Sequence, residues 1–300
     1  MHWKKLGKIF TFNSINKDLL THASNPVAVN IHDDVFRIFF SSRNKDNKSS
    51  VGFVDIDILK QDVKQTTNNT IFKYGEVNSF YSHGVSIGNI YIVDEKKYML
   101  FMGWQVQDSQ HWRGDIGRLE LEDNKSLVLN PNKVFIGCDN KDKVSLSYPW
   151  VMHDEQVYKM WYGSTENWSS DNGEMVHVIK YATSEDGINW KKHGIAIPFE
   201  IGVAQAFSRP TVIKDENNYH MWFSYRSGDG TMYRIGYAHS IDGLKWNRKE
   251  DSGIDVSEDG WDSEMICYPF VFDHKEKLYM LYNGNDYGKN GFGLAVLEQK

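Results

Sequence analysis

The sequence predicts an all-β fold: a five-bladed β-propeller with four antiparallel strands per blade, its ring closed by the N-terminal strand. Three observations support this prediction. One strand pattern recurs five times at intervals of about 60 residues, several short strands fall within each interval, and the two chain ends complement each other. Four-stranded sheets that repeat around an axis are typical of a propeller. Residues 1–300 are therefore expected to form one propeller domain.

The recurring strand begins with an aromatic residue and continues with mostly apolar residues. Its first aromatic residues are spaced 60 to 62 residues apart, at Phe36, Tyr98, Tyr158, Tyr219 and Tyr279. Aromatic residues favour strands. The regular spacing indicates five copies of one structural unit.

A short apolar run precedes each of these strands. It opens with proline in four units, at Pro26, Pro149, Pro210 and Pro269, and Ile87 stands where unit two would have its proline. By its position in the unit, this run is expected to be the innermost strand of each blade, the one that faces the central channel of a propeller.

A third strand follows in every unit, and in units three and four it runs into a turn. The turns contain Asp186-Gly187 and Asp242-Gly243, and a tryptophan follows each of them, Trp190 or Trp246. Asp-Gly between two apolar runs is a strong hairpin signal, because glycine accepts a positive φ. We interpret the repeated S-x-D-G-x-x-W pattern as a structural hairpin whose tryptophan opens a fourth strand.

The two chain ends predict how the ring closes. Unit five stops after its third strand, at residues 292–297, whereas residues 3–9 resemble residues 190–196, the fourth strand of unit three. The N-terminal strand is thus expected to complete the last blade and to cover an exposed sheet edge. A solenoid, the alternative repeat architecture, would need distinct capping repeats at both ends.

Composition narrows the classes of function. The net charge is −6 and no block of Lys or Arg stands out, which argues against a nucleic-acid partner. Cys138 and Cys267 are too few for a disulfide framework and lack metal-ligand spacing. No signal-peptide core and no apolar run of membrane-spanning length is found, so we expect a cytoplasmic protein without a membrane partner. No cofactor or metal motif stands out.

Several sequence motifs resemble one known family. The five-unit pattern, the S-x-D-G-x-x-W hairpins, the pair Arg209-Pro210 and residues 233–238 and 261–264 are similar to the five-bladed glycosidase superfamily. That superfamily includes invertases, arabinanases, levansucrases and a phosphorylase branch. The resemblance implies a carbohydrate ligand at the channel mouth. The Arg and His residues near the strand ends would suit a phosphorylated or nucleotide-linked form of it.

The chain departs from the acidic residues that the resemblance implies. Hydrolases of that superfamily place carboxylates at the channel mouth from their first three blades, but Asn25 stands in unit one where an Asp is expected. Units two and three have no carboxylate directly before Ile87 or Pro149. The acidic pair at such a position is Asp262 and Glu264 in unit five.

The first functional hypothesis is a glycoside hydrolase-like enzyme that acts on an oligo- or polysaccharide. Glu264 would be the general acid, and Asp262 would be the second carboxylate or would raise the pKa of Glu264. Cationic and polar side chains would hold the sugar or an attached anion, and two tryptophans would stack on sugar rings. These expected binding residues are Arg209, His83, Tyr268, Arg43, Arg226, Asn25, Trp104 and Trp261.

Three other hypotheses remain open from the sequence. A glycoside phosphorylase or a glycosyltransferase would use the Arg and His residues to bind an anion. A sugar-binding propeller without catalysis is favoured by the missing carboxylates. A protein-interaction propeller is disfavoured by the polar residues expected at the channel mouth.

Overall fold

The computed structural model describes residues 1–106 and 111–298, and these residues form mainly β-strands, turns and loops. One helical turn, Asn285–Gly288 (α1), interrupts the strands. No helix among the described residues has the length and apolar character needed to cross a membrane. In chain order the strands are β1 (His2–Thr11), β2 (Thr21–His32), β3 (Val35–Arg43), β4 (Ser49–Asp57), β5 (Asp62–Thr66), β6 (Gly84–Val93), β7 (Lys96–Val106), β8 (Trp112–Glu122), β9 (Ser126–Leu129), β10 (Ser145–Asp154), β11 (Val157–Asn167), β12 (Val176–Ser184), β13 (Lys191–Ile195), β14 (Ser208–Lys214), β15 (Tyr219–Tyr225), β16 (Arg234–Ser240), β17 (Asn247–Lys249), β18 (Cys267–His274), β19 (Lys277–Asn283) and β20 (Gly291–Glu298).

The strands form four-stranded antiparallel sheets, as in a propeller. Three sheets have the orders β10-β11-β12-β13, β14-β15-β16-β17 and β1-β20-β19-β18. A larger sheet holds β2–β5 and β6–β9, two antiparallel halves joined by the single parallel pair Ser49 and Gly84. No sheet in the described part of the chain closes on itself. The predicted all-β class and the four-stranded antiparallel sheets are therefore confirmed.

The first strands of these sheets and half-sheets lie next to one another. Each contacts the next in chain order, and the last contacts the first: β2 with β6, β6 with β10, β10 with β14, β14 with β18, and β18 with β2. The largest hydrophobic cluster contains buried residues from every sheet, including Phe39, Phe101, Trp161, Phe223 and Leu281. Burial of this apolar surface is the main favourable term for folding.

The two Asp-Gly turns have the structural role that the sequence predicted. Gly187 and Gly243 have φ values of 69° and 75°, which glycine adopts without steric cost. The Oδ1 atom of Asp242 accepts hydrogen bonds from the backbone N–H groups of Leu244 and Lys245, at 2.8 and 2.9 Å. The carbonyl of Gly243 accepts from the indole of Trp246 at 2.9 Å, so the tryptophan fixes its own turn.

The N-terminal strand supplies the fourth strand of the last sheet. β1 pairs antiparallel with β20 from His2 opposite Glu298 to Thr11 opposite Gly291. Lys5 of β1 binds the carboxylate of Asp262 at 2.8 Å, and the hydroxyl of Tyr282 donates to the same carboxylate at 3.0 Å. These contacts join the first strand to the loop that precedes β18.

The same three-residue contact recurs in the sheet β10-β11-β12-β13. There Lys192 of β13 binds Asp142 at 2.7 Å, and the hydroxyl of Tyr162 donates to Asp142 at 3.0 Å. Asp142 and Tyr162 precede Asp262 and Tyr282 by 120 residues, two repeat lengths. Asp262 is therefore part of a repeated structural contact that fastens the fourth strand of a sheet.

We expect Lys5→Met to destabilise the protein by about 3 kcal/mol, because it leaves the Asp262 carboxylate buried without its cation. Urea denaturation measures the change. Lys4→Met is the matched control, since Lys4 is exposed on the same strand, and its effect should stay within about 0.5 kcal/mol. Equal stability of the two variants would show that the ion pair does not hold the strand.

Candidate functional site

A cavity of about 340 Å³ lies where the first strands of the sheets begin, and we call it the main cavity. Its walls include side chains from β2, β6, β10, β14 and β18, together with residues of the neighbouring strands. The structure thus brings strand starts from every sheet to one place. Hydroxyl groups are frequent in the walls; the serines are Ser24, Ser41, Ser49, Ser86, Ser147 and Ser208.

A repeated backbone distortion directs side chains towards the main cavity. The residues directly before the four anchor prolines, Asn25, Tyr148, Arg209 and Tyr268, have φ values of 56°, 34°, 48° and 56°. This left-handed conformation is rare for residues other than glycine, and residues before proline normally favour extended conformations. The antiparallel pairing shifts register at the same point in each strand. Such strain costs about 1–3 kcal/mol per residue and clusters at functional sites.

Arg209 is not in the lining of the main cavity, although Ser208, the residue before it, is. Its side chain is buried and donates hydrogen bonds to the backbone carbonyls of Ile87 and Pro26, which belong to β6 and β2. Burial lowers the pKa of Arg209 to about 10, so the guanidinium remains charged at neutral pH. Among the described residues no carboxylate forms an ion pair with it.

Arg43 and Arg226, two of the expected binding residues, line the main cavity. Arg226 donates to the carboxylate of Glu174 at 2.7 Å, and its guanidinium lies 4.7 Å from the ring centre of Tyr233. Arg43 donates to the side-chain amide oxygen of Asn47 at 3.0 Å and forms no ion pair within the described residues. Arg43 is therefore a cation available to a ligand.

Three more predicted binding residues line the main cavity: Asn25, Tyr268 and Trp104. The Oδ1 atom of Asn25 is buried and has no hydrogen-bond partner within the described part of the chain. The indole of Trp104 donates to the hydroxyl of Ser49 at 3.0 Å, which fixes its ring in the wall. His83 is outside the lining but packs against Trp104, with ring centres 5.9 Å apart.

Asp262, Glu264 and Trp261 do not line the main cavity, so the expected carboxylate pair is not part of that site. Asp262 is bound to Lys5 and Tyr282, as described above. Glu264 is exposed, and its backbone N–H donates to Asn285 at 2.9 Å. The ring of Trp261 packs on Tyr282 with centres 5.2 Å apart. Asp262, Glu264 and Trp261 are thus held by contacts with other parts of the fold, and none of them lines the main cavity.

Sequence reasoning missed several lining residues at the beginnings of outer strands. Trp112 begins β8, and His177 is the second residue of β12. The sequence contained a signal for both, because each lies within four residues before a predicted third strand, at residues 116–119 or 179–182. Tyr233 and Tyr287 also line the cavity, and burial raises the pKa of both phenols, so both remain hydrogen-bond donors at neutral pH.

The site shows no arrangement typical of a metal centre or a nucleophilic cysteine. No group of three potential metal ligands occurs among the residues that the structure describes. Cys267 is buried next to the cavity-lining Tyr268, and burial raises the pKa of its thiol well above the usual value. The reactive form of cysteine is the thiolate, so Cys267 is inert at neutral pH.

His177 predicts a measurable pH dependence of stability. Burial lowers its pKa to about 3, whereas the unfolded chain has the ordinary value of about 6.5. The unfolded state therefore binds a proton that the folded state rejects, and stability falls as the pH drops below about 6.5. Between pH 7 and pH 5 this group should cost about 2 kcal/mol.

Urea denaturation of the wild type and of His177→Gln at both pH values isolates this effect. The variant should lose about 2 kcal/mol less than the wild type between pH 7 and pH 5. An identical loss in both proteins would mean that the His177 ring is protonated in the folded state.

Comparison with known proteins identifies relatives and the fold. No protein-family model matches the chain. It is 40% identical over 301 residues to "Uncharacterized protein Rv1502" of Mycobacterium tuberculosis (strain ATCC 25618 / H37Rv), covering 99% of this chain and 100% of that protein. "Uncharacterized protein MT1551" of strain CDC 1551 / Oshkosh gives the same identity and coverage.

Solved structures of glycoside hydrolases have the same fold. One structure described as a glycoside hydrolase superposes with a TM-score of 0.76 at 13% identity, covering 99% of this chain and 93% of that protein. A complex of BT0996 with RGII gives a TM-score of 0.79 at 13% identity, with the same coverages. A thermostable family-43 glycoside hydrolase gives a TM-score of 0.66 at 16% identity, with coverages of 96% and 91%. The chain therefore belongs to the same family as the two mycobacterial proteins, and it shares its fold with these glycoside hydrolase structures.

Proposed function

We propose that the main cavity binds a carbohydrate that carries a negatively charged group. The observation that supports this most directly is the charge of the site. Arg43 and Arg226 line the cavity, Arg209 directly follows the lining residue Ser208, and the described lining contains no Asp or Glu. Among the sequence-based alternatives, this favours the anion-binding hypothesis over hydrolysis by a carboxylate pair.

The charge balance of the site favours an anion over a neutral ligand. Glu174 neutralises Arg226, but Arg43 and Arg209 have no carboxylate partner within the described residues. A buried cation without a counter-ion is costly, and an anion near it recovers part of that cost. Arginine also binds phosphate and carboxylate groups in a two-point geometry.

The carbohydrate part of the proposal rests on the fold and on the walls of the cavity. The solved neighbours are glycoside hydrolases, and one of them is described as an RGII complex. Trp104 and Trp112 offer flat apolar surfaces beside the serine hydroxyls, a combination that suits a sugar ring and its hydroxyl groups. Phosphorylated sugars, nucleotide-linked sugars and uronic acids all fit this chemistry.

Hydrolysis by the usual route has little support from the cavity. Most glycosidases use two carboxyl groups about 5–9.5 Å apart, flanking the bond that is cleaved. Asp262 and Glu264 lie outside the cavity lining, and Asn25 provides an amide instead of a carboxylate. We therefore propose recognition of an anionic saccharide without two-carboxylate hydrolysis.

We further propose that the sheets are the five blades of a propeller ring, with β1 completing the last blade. The cyclic contacts from β2 through β6, β10, β14 and β18 back to β2 support this arrangement. The pairing of β1 with β20 supports closure by the N-terminal strand. In such a ring the main cavity is the mouth of the central channel, where each blade contributes side chains.

Isothermal titration calorimetry tests the proposed ligand class. We expect glucuronate, glucose 6-phosphate or UDP-glucose to bind at least ten times more tightly than glucose. Arg43→Gln should weaken the binding of the anionic ligand by about 10- to 100-fold, because it removes a hydrogen bond between charged groups. Arg248→Gln is the matched control, since Arg248 lies in β17, outside the cavity lining, and should leave the affinity unchanged.

Two results would contradict the proposal. One is equal affinity for glucose and its charged derivatives, which would mean that the arginines serve only the fold. The other is rapid hydrolysis of a neutral glycoside by the wild type, which would require a carboxylate pair at the site.

A further inference from the structure

Three buried side chains form a hydrogen-bonded chain that ends at the main cavity. The Nδ1 atom of His177 lies 2.7 Å from the hydroxyl oxygen of Thr165, and the Nε2 atom lies 2.7 Å from the hydroxyl oxygen of Ser147. Their exposed fractions are 2%, 2% and 1% for Thr165, His177 and Ser147. Ser147 and His177 line the cavity, whereas Thr165 does not.

Gly163 leaves the space that these hydrogen-bonded side chains occupy. A Cβ atom on Gly163 would lie 2.1 Å from the Ser147 hydroxyl oxygen and 2.4 Å from Nε2 of His177. Both distances are far below van der Waals contact, so an alanine there would force the two groups apart. The Ser147–His177 contact thus depends on the absence of a side chain at position 163.

The His177 ring is uncharged in the folded protein at neutral pH, because burial lowers its pKa. A neutral imidazole has one nitrogen that donates and one that accepts. The chain can therefore run in only two directions. Either Thr165 donates to Nδ1 and Nε2 donates to Ser147, or Ser147 donates to Nε2 and Nδ1 donates to Thr165.

The surroundings of Thr165 select between these directions. Its hydroxyl has no other hydrogen-bond partner among the described residues, and Thr165 is not part of the cavity lining. In the second direction the Thr165 proton would be a buried donor without an acceptor, which is costly. In the first direction Nδ1 of His177 accepts the Thr165 proton. The proton left without a protein acceptor is then that of Ser147, which lines the cavity.

We infer that His177 is fixed as the Nε2–H tautomer, so that Ser147 accepts from the ring and directs its own proton into the main cavity. Ser147 is then a specificity-determining donor: the ligand atom that meets it must be a hydrogen-bond acceptor. If the ligand is the anionic saccharide of the proposed function, on which this part rests, the acceptor is an oxygen of its anionic group. The same tautomer leaves Nε2 unable to take a proton from Ser147, so Ser147 is not a nucleophile activated by His177.

Nuclear magnetic resonance of protein labelled with ¹⁵N-histidine tests the tautomer without any ligand. The His177 signals are assigned by their loss in His177→Gln. At pH 7 we expect the proton on Nε2 and a bare Nδ1. A proton on Nδ1, or on both nitrogens, would overturn the inference, whether or not the protein binds a sugar.

Calorimetry with glucose 6-phosphate and glucuronate tests the role of Ser147. Ser147→Ala should weaken the better ligand by about 10-fold or more, since a hydrogen bond to a charged group is lost. Ser164→Ala is the matched control, because Ser164 lies in the same buried region but donates to Asp142 at 2.7 Å, away from the cavity lining. Its affinity should equal that of the wild type.

The outcomes separate the two claims. If Ser147→Ala binds as tightly as the wild type, Ser147 does not act as a donor to the ligand. If the wild type binds neither anion, the proposed function fails, and the tautomer measurement still decides the direction of the chain.

Discussion

The main cavity depends on one backbone constraint, a left-handed residue placed directly before a proline. This combination is sterically unfavourable, yet it occurs at Asn25, Tyr148, Arg209 and Tyr268. At each position the ladder to the next strand shifts register. A regular strand would send alternate side chains into the packed faces of the sheet. With the shift, Asn25, Tyr148 and Tyr268 line the cavity and Arg209 does not. Strained conformations of this kind persist only where the surrounding structure holds them.

The distortion at Arg209 links β14 to both halves of the larger sheet. Its guanidinium reaches carbonyl groups of β2 and β6 from a backbone position in β14. Carbonyl dipoles satisfy its donors only in part, and the Nε–H group has no partner within the described residues. A charge of this kind stabilises the relative positions of the strands and also creates a positive potential near the cavity. The same side chain therefore contributes to the fold and, under the proposed function, to the selection of an anionic ligand, although it does not line the site.

Much of the fold is predictable from the sequence, because its signals are periodic. The aromatic strand starts, the prolines and the Asp-Gly turns mark the repeats, and the likeness of residues 3–9 to residues 190–196 predicts that β1 is a fourth strand. The site was predictable only in part. Asp262 was assigned to catalysis because acidic residues near a strand start suggest it, but its contacts with Lys5 and Tyr282 repeat those of Asp142. That repeat was present in the sequence at a spacing of two units. The hydrogen bonds of His177 were not predictable, because they depend on which side chains meet across strands.

The contrast between fold and cavity explains why the likeness to glycoside hydrolases does not settle the chemistry. A propeller positions strand starts around one mouth whatever residues they carry, so function is set by those residues. Here Asn25 stands where an acid is expected, and the lining contains several serine hydroxyls. One of these, the hydroxyl of Ser147, is hydrogen-bonded to the neutral ring of His177. Proton transfer to a leaving group needs a group whose pKa lies near the working pH. Burial lowers the pKa of His177 and raises the pKa values of Tyr233 and Tyr268, so none of the three gains or loses a proton near neutral pH. The described lining is therefore rich in hydrogen-bond donors for an anion and poor in groups that exchange protons at neutral pH.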